Sequence, residues 1–201
     1  MHLDPVNMRI LEAAEAEFAS HGFHQAVVSQ IADRAGVGKG TVYRRFGDKK
    51  ALFTCLITQG MSTLRGNVDS AFQRKDPPRQ ALEGILGVYF DFFDQARDLI
   101  AITLLEGVSM AGSIHEQVKV DVEYVLGRFQ ELFLQGMEQG DFRVLDPERS
   151  AFLFHEFIWS VMRGAVFFGF NPRQEYGEAM LDLFFNGICA QRQTPREKEE
   201  V

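Results

Sequence analysis

Apolar residues recur along this chain at spacings of three and four, and alternation with a period of two is absent. That rhythm predicts helices and no strand. The stops in the rhythm are marked by capping residues set before proline: Asp4-Pro5, Asp76-Pro77, Asp146-Pro147 and Asn171-Pro172. A proline at the first helical position gives up an N–H that has no helical partner anyway, while the preceding side chain satisfies a neighbouring one. Ser113-x-x-Glu116 has the form of a capping box, and Asp48 after Gly47 is a further start signal. Together these marks predict helices over 5–21, 28–35, 39–45, 48–74, 77–95, 98–109, 114–139, 147–169 and 172–191. The expected fold is all-α, with about nine helices.

The segment from Ser29 to Phe53 carries the most information. Val28, Ile31, Ala32 and Ala35 form one apolar helical face, the pattern breaks at Gly36, and Val37, Val42 and Phe46 supply the inner face of a second short helix. Ala32 permits a close helix crossing, Gly36 suits a turn with positive φ, and Val42 fills the crossing. This is the pattern of a helix-turn-helix. With the inner face assigned, Lys39, Gly40, Thr41, Tyr43, Arg44 and Arg45 are left to face outward or flank it, and these are groups suited to phosphates and base edges.

At these residues the chain resembles the TetR family of bacterial transcriptional regulators, whose motif runs close to I-A-x-x-A-G-V-S-x-G-T-[LIV]-Y-x-[HYR]-F-x-x-K-x-x-L. Ile31-Ala32, Ala35-Gly36-Val37, Gly40-Thr41-Val42-Tyr43, Arg45-Phe46, Lys49 and Leu52 match it, and Gly22-Phe23 fits the family's turn after its first helix. The resemblance covers about the first quarter of the chain. Gly38 stands where Ser is common, and Ala26-Val27 stand where a Thr usually caps the second helix, so a hydroxyl contact to phosphate is missing; Ser29 is near enough to replace it. The resemblance implies a DNA-binding set of Ser29, Gln30, Gly38, Lys39, Gly40, Thr41, Tyr43, Arg44, Arg45 and Lys49. Within it, Lys39, Tyr43, Arg45 and Lys49 are expected on the phosphate backbone, and Thr41 and Arg44 on base edges.

Charge agrees once its distribution is considered. The net charge of −7 is unhelpful for a DNA-binding protein, yet residues 30–50 carry six basic side chains against two acidic ones, a local balance of +4. Residues 51–201 carry −8. A basic head on an acidic body is the expected polarity. The sequence accordingly divides into a helix-turn-helix domain at 1–50, a helical ligand-binding and dimerisation domain at 51–191, and a polar tail at 192–201. The fourth helix is expected to pack on the head and continue into the body.

The body is rich in aromatic residues, with fifteen of the nineteen Phe after position 54. Core and dimer interface account for most of them. The resemblance also implies a homodimer formed by the last two helices and an apolar or aromatic inducer. Glu106, Phe129, His155, Trp159 and Arg163 are the candidate ligand contacts, four of them polar or amphipathic groups in apolar stretches.

Other chemistry finds no support in the motifs. His155-Glu156 begins like a zincin helix, but Trp159 replaces the second His, and no metal site is expected. No catalytic site, cofactor fingerprint, P-loop or nucleophile elbow is present, so no enzyme and no cofactor are expected. Cys55 and Cys189 lack metal-ligand spacing and read as reduced core residues. The start of the sequence lacks a signal-peptide pattern, which points to a cytoplasmic protein. Residues 151–170 approach the length of a membrane span, but His155, Glu156 and Arg163 interrupt them, and no membrane partner is expected. The expected function is a DNA-binding regulator, commonly a repressor, that binds a pseudo-palindromic operator as a dimer and is released by a small ligand. The alternative is an all-α ligand-binding or catalytic protein without specific DNA binding.

Overall fold

The computed structural model describes residues 4–106 and 111–187, with side chains left out at 105, 106, 111–115 and 117. Eight helices follow one another: α1 (Pro5–Gln25), α2 (Val28–Ala35), α3 (Lys39–Phe46), α4 (Lys49–Phe72), α5 (Pro78–Glu106), α6 (Ala111–Glu138), α7 (Pro147–Phe168) and α8 (Pro172–Asn186). No strand occurs among the described residues. Four of the predicted caps act where they stand. Asp4 accepts from Val6 N–H, Asp48 from Ala51 N–H, Asp146 from Arg149 N–H and Asn171 from Gln174 N–H, at 2.7–3.0 Å.

Several boundaries differ from expectation: α1 runs on to Gln25 through a non-helical Gly22, α5 starts at Pro78, and α8 ends at Asn186. The predicted helices 77–95 and 98–109 are one helix, α5, bent at Ala96 (φ −123°, ψ 27°). The bend brings Arg97 over the Phe93 ring and lets its guanidinium donate to Ala165 O at 3.2 Å, near the end of α7. α6 begins at Ala111, ahead of the expected capping box, and the Ser113 side chain lies outside the described residues.

Two apolar cores are joined by α4. The first is built by α1–α3 with Leu52, Phe53, Leu56 and Ile57 of α4 and with Leu99 and Ile102 of α5. The second gathers Leu64, Val68 and Ala71 of α4 with α5, α6, α7 and Met180 of α8. The α4 helix, roughly 36 Å long at 1.5 Å per residue, therefore spans from head to body. Between its two buried stretches Gly60 meets α5 so closely that an added Cβ would lie 2.5 Å from Leu99 Cδ2.

Lower on α4, Arg65 pairs with the buried carboxylate of Asp121 at 2.9 Å and stacks on Tyr124, whose hydroxyl donates to Asp69 at 2.7 Å. These contacts fasten α4 to α6. A buried carboxylate needs such a partner to be tolerated.

By length and composition α7 is apolar enough to cross a bilayer. In this fold one face of it, Ala151, Phe154, His155, Ile158, Met162 and Ala165, is buried in the body. The opposite face leaves Phe152, Leu153, Phe167 and Phe168 exposed, and α8 adds Tyr176 and Leu183.

Candidate nucleic-acid interface

The head is assembled around the predicted inner face. Ile31, Ala32, Ala35 and Val42 are all buried, and they pin α2 and α3 against α1 and α4. Gly36 closes α2 in the left-handed region (φ 64°, ψ 40°), its N–H reaching Ala32 O and Asp33 O. That conformation costs a residue with Cβ considerably more than it costs Gly. Gly38 is the extended residue before α3, and neither Gly38 nor Gly40 has any atom near the position of a Cβ, so the backbone there is open to approach.

The outward face of α3 carries Lys39, Gly40, Tyr43, Arg44 and Arg45, all exposed, with Thr41 half-buried. Lys39 Nζ lies 5.8 Å from the Tyr43 ring centre, and Arg44 donates to Thr41 Oγ1 at 3.4 Å. A helix that buries one apolar residue and presents cations, a phenol and two open glycines is built to meet a polyanion.

Two of the expected phosphate-binding cations are already engaged within the chain. Arg45 donates to Asp4 at 2.6 Å and to Asn7 at 2.8 Å. Lys49 donates to His24 O at 3.0 Å and Ala26 O at 3.1 Å, and its Nζ is 4.8 Å from the centre of the Phe23 ring. Lys49 thus satisfies carbonyls at the end of α1, where a cation also complements the helix dipole. The Val6 N–H and Arg45 together hold the Asp4 carboxyl below the usual carboxylate range.

Ser29 and Gln30 sit in the first turn of α2, Ser29 half-buried and Gln30 exposed. The N-cap residue Val27 offers no side-chain hydrogen bond to that turn. Glu17 of α1 serves the N-cap N–H itself: its carboxylate, 2% exposed, accepts from Val27 N–H at 3.2 Å. Sequence reasoning missed Glu17, although the signal was present as an acidic residue following Ile10, Ala13 and Ala14 on the inner face of α1.

The expected ligand residues are not gathered into one cavity. Phe129 is fully buried against Phe72 and Phe154. His155 and Trp159 form a separate group with Tyr89: Trp159 Nε1–H donates to His155 Nε2 at 3.0 Å, and His155 Nδ1 faces Glu156 at 3.2 Å. Burial lowers the His155 pKa more than Glu156 raises it, so the neutral ring is favoured. Burial likewise pushes the Tyr89 phenol up. Arg163 reaches Glu156 at 3.9 Å, and the Glu106 side chain lies outside the described residues.

Cavities of the body lie elsewhere. One of about 640 Å³ is lined by Phe72, Lys75, Pro77, Arg128 and Leu132, and one of about 410 Å³ by Arg79, Phe133, Phe142, Arg143, Phe184 and Phe185. Phe184 of α8 faces inward, its ring 4.7 Å from that of Phe154. Among the described residues no group of three or more metal-ligating side chains comes together, and Cys189 is outside them. Cys55 is half-buried, and burial raises its thiol pKa.

Residues 10–55, the segment that builds this head, match the family model for bacterial regulatory proteins of the TetR family. The head is thus a DNA-binding domain of the TetR type. A curated relative, the fatty acid metabolism regulator protein of Bacillus subtilis (strain 168), is 24% identical over 139 residues, 69% of this chain and 72% of that protein. Among solved structures, the transcriptional regulator FadR from Bacillus subtilis, in complex with stearoyl-CoA, superposes with a TM-score of 0.80 at 22% identity. It covers 90% of this chain and 99% of that one. AibR, in complex with isovaleryl coenzyme A and operator DNA, superposes with a TM-score of 0.72 at 20% identity, covering 90% of this chain and 98% of that one. These similarities establish that the TetR-family fold extends beyond the matched head through the body.

Proposed function

We propose that this chain is a TetR-family transcriptional regulator that binds a pseudo-palindromic operator as a two-fold dimer and is released by an apolar ligand. The observation that carries the reading is the outward face of α3, where Lys39, Tyr43, Arg44 and Arg45 surround an open glycine backbone while Val42 alone is fully buried. Thr41 and Arg44 are assigned to base edges, and Lys39, Tyr43, Arg45 and Lys49 to phosphates. Ser29, Gln30 and the Gly38 and Gly40 backbones complete the contact set.

The exposed Phe152, Leu153, Phe167 and Phe168 of α7 with Leu183 of α8 support a dimer through the last two helices, since apolar side chains so placed seek a partner. A short recognition helix reads too few base pairs alone, and a dimer doubles them. The chain acts without catalysis, in the cytoplasm where its DNA is. An acyl-CoA thioester is the ligand class proposed, because two regulators of this fold are described with stearoyl-CoA and isovaleryl coenzyme A. Of the body's cavities, the one walled by Phe133, Phe142, Phe184 and Phe185 with Arg79 and Arg143 best suits an apolar chain with an anionic head.

Fluorescence anisotropy with the DNA upstream of its own gene tests both parts. Affinity is expected to fall steeply with salt and to drop when stearoyl-CoA is added, with equal reciprocal weakening of stearoyl-CoA binding by DNA. Binding no tighter than to unrelated duplex would favour the alternative of an all-α ligand-binding or catalytic protein. Equal stearoyl-CoA affinity with and without DNA would remove the allosteric part.

A further inference from the structure

The first turn of α2 is capped in an unusual manner. A helix start needs acceptors for its free N–H groups, and a Ser, Thr, Asp or Asn at the N-cap is the common solution. Val27 holds that position in an extended conformation (φ −115°, ψ 118°) and has no acceptor in its side chain. An acceptor for the N-cap N–H comes from Glu17, eight residues before the end of α1. Its Oε1 takes the Val27 N–H at 3.2 Å, and the amide nitrogen of Gln30 lies 2.9 Å from Oε1 and 3.2 Å from Oε2 in the orientation that satisfies both groups. His21 Nδ1 stands 3.4 Å from the same carboxylate. In an ordinary capping box the third helical residue reaches back to the N-cap N–H. Here Gln30, the third helical residue, and the Val27 N–H both donate to one buried carboxylate on another helix.

This arrangement fixes more than the helix start. Gln30 is exposed at the surface assigned to DNA, and its amide nitrogen is committed to Glu17. That pairing ties the Gln30 side chain to α1.

We propose that Glu17 is a positioning residue for operator binding: it ties the N-cap N–H of α2 and the Gln30 side chain to α1, and so sets the attitude of both toward the DNA. The proposal rests on the DNA-binding reading above. Glu17 itself touches no DNA. It acts through Gln30 and through the attitude of α2, against which α3 is packed by Ala32, Ala35 and Val42.

Three variants test it, all measured well below their melting temperatures so that loss of fold does not enter the binding constant. In Glu17→Gln the acceptor is weakened and an N–H is set against the donors. Hydrogen exchange at the Val27 amide should speed up, and operator affinity should fall about five- to tenfold, the scale of one lost cap. Adding Val27→Thr to Glu17→Gln supplies a cap within α2 itself and should restore most of the loss. Gln30→Ala, at an exposed position that leaves the core intact, should weaken operator binding about tenfold while unrelated duplex is little affected.

Unchanged Val27 exchange in Glu17→Gln overturns the capping role, and an unchanged preference in Gln30→Ala overturns the positioning role. Failure of Val27→Thr to rescue overturns the link between them. If Glu17→Gln does not fold, the double variant with Val27→Thr must do so, or the proposal is wrong. Wild-type protein that shows no operator preference removes the DNA-binding reading instead, and the exchange measurement still decides who caps α2.

Discussion

Arg45 of the recognition helix donates to the Asp4 carboxylate at 2.6 Å, joining residues 41 positions apart in the chain. A cation assigned to phosphate is thus held, in the free head, by an exposed carboxylate at the start of α1. Binding DNA there brings phosphate close to Asp4 as well as to Arg45, and the carboxylate opposes the approach.

Asp4→Asn removes that opposition while keeping a side chain able to cap α1. DNA affinity at low salt is expected to rise, and the slope of log affinity against log salt to steepen by about 0.9, as for one further cation made available. A salt titration of both proteins on the same duplex decides it; parallel lines would mean that Arg45 is not a phosphate contact.

Lys49→Ala is expected to act on stability and binding together, because Lys49 serves the carbonyls of His24 and Ala26. The loss of these charge-assisted bonds should cost about 1–2 kcal/mol of stability, lowered from the buried value by partial exposure. Binding to all duplexes should weaken alike, with the salt slope reduced by about 1, whereas Arg44→Ala should relax preference at one base pair at a cost of about 1–3 kcal/mol. Denaturant melts and binding to a set of single-base operator variants separate the two effects. Retained sequence preference in Arg44→Ala would reassign the base contact.

The aromatic ring of Phe184 is packed within one chain, and Leu183 beside it is exposed. Leu183→Asp is therefore expected to give a folded monomer with poor operator binding. Phe184→Asp is expected to lower the melting temperature sharply, since it places a charge against Phe133 and Phe154. Sedimentation velocity and thermal melts on the two variants read these outcomes, and an intact Leu183→Asp dimer would move the interface away from α8.

His155 contributes a pH dependence whose sign follows from burial. Its pKa is lower folded than unfolded, so the unfolded chain binds the extra proton first as pH falls. The contribution is present above the unfolded value of about 6.5 and is lost as pH falls from there through the lower folded value. Glu156 hydrogen-bonds the ring and favours the charged form, while Arg163 opposes it. Melting curves of wild type and His155→Gln should differ most near about pH 7.5 and converge toward about pH 5. A gap that widens on acidification would mean that the folded state prefers the charged ring.

The features read correctly from sequence are those decided within a few residues. Asp4, Asp48, Asp146 and Asn171 cap the helices that follow because each acceptor lies two or three residues from the N–H it serves. Gly36 turns with φ of 64° because only the missing Cβ matters there, and Ile31, Ala32, Ala35 and Val42 are buried because helical spacing alone puts them on one side. Tertiary structure decided the rest. Whether 77–95 and 98–109 are two helices or one depends on the bend at Ala96 and on the carbonyl that Arg97 finds on α7. Whether Phe184 turns to a partner or to its own core depends on Phe133 and Phe154, placed by other helices. The partners of Arg45, Lys49 and Glu17 lie on other segments, where only the crossing of packed helices brings them within hydrogen-bonding distance. Periodicity places a side chain on a face, and packing against distant residues determines what that face meets.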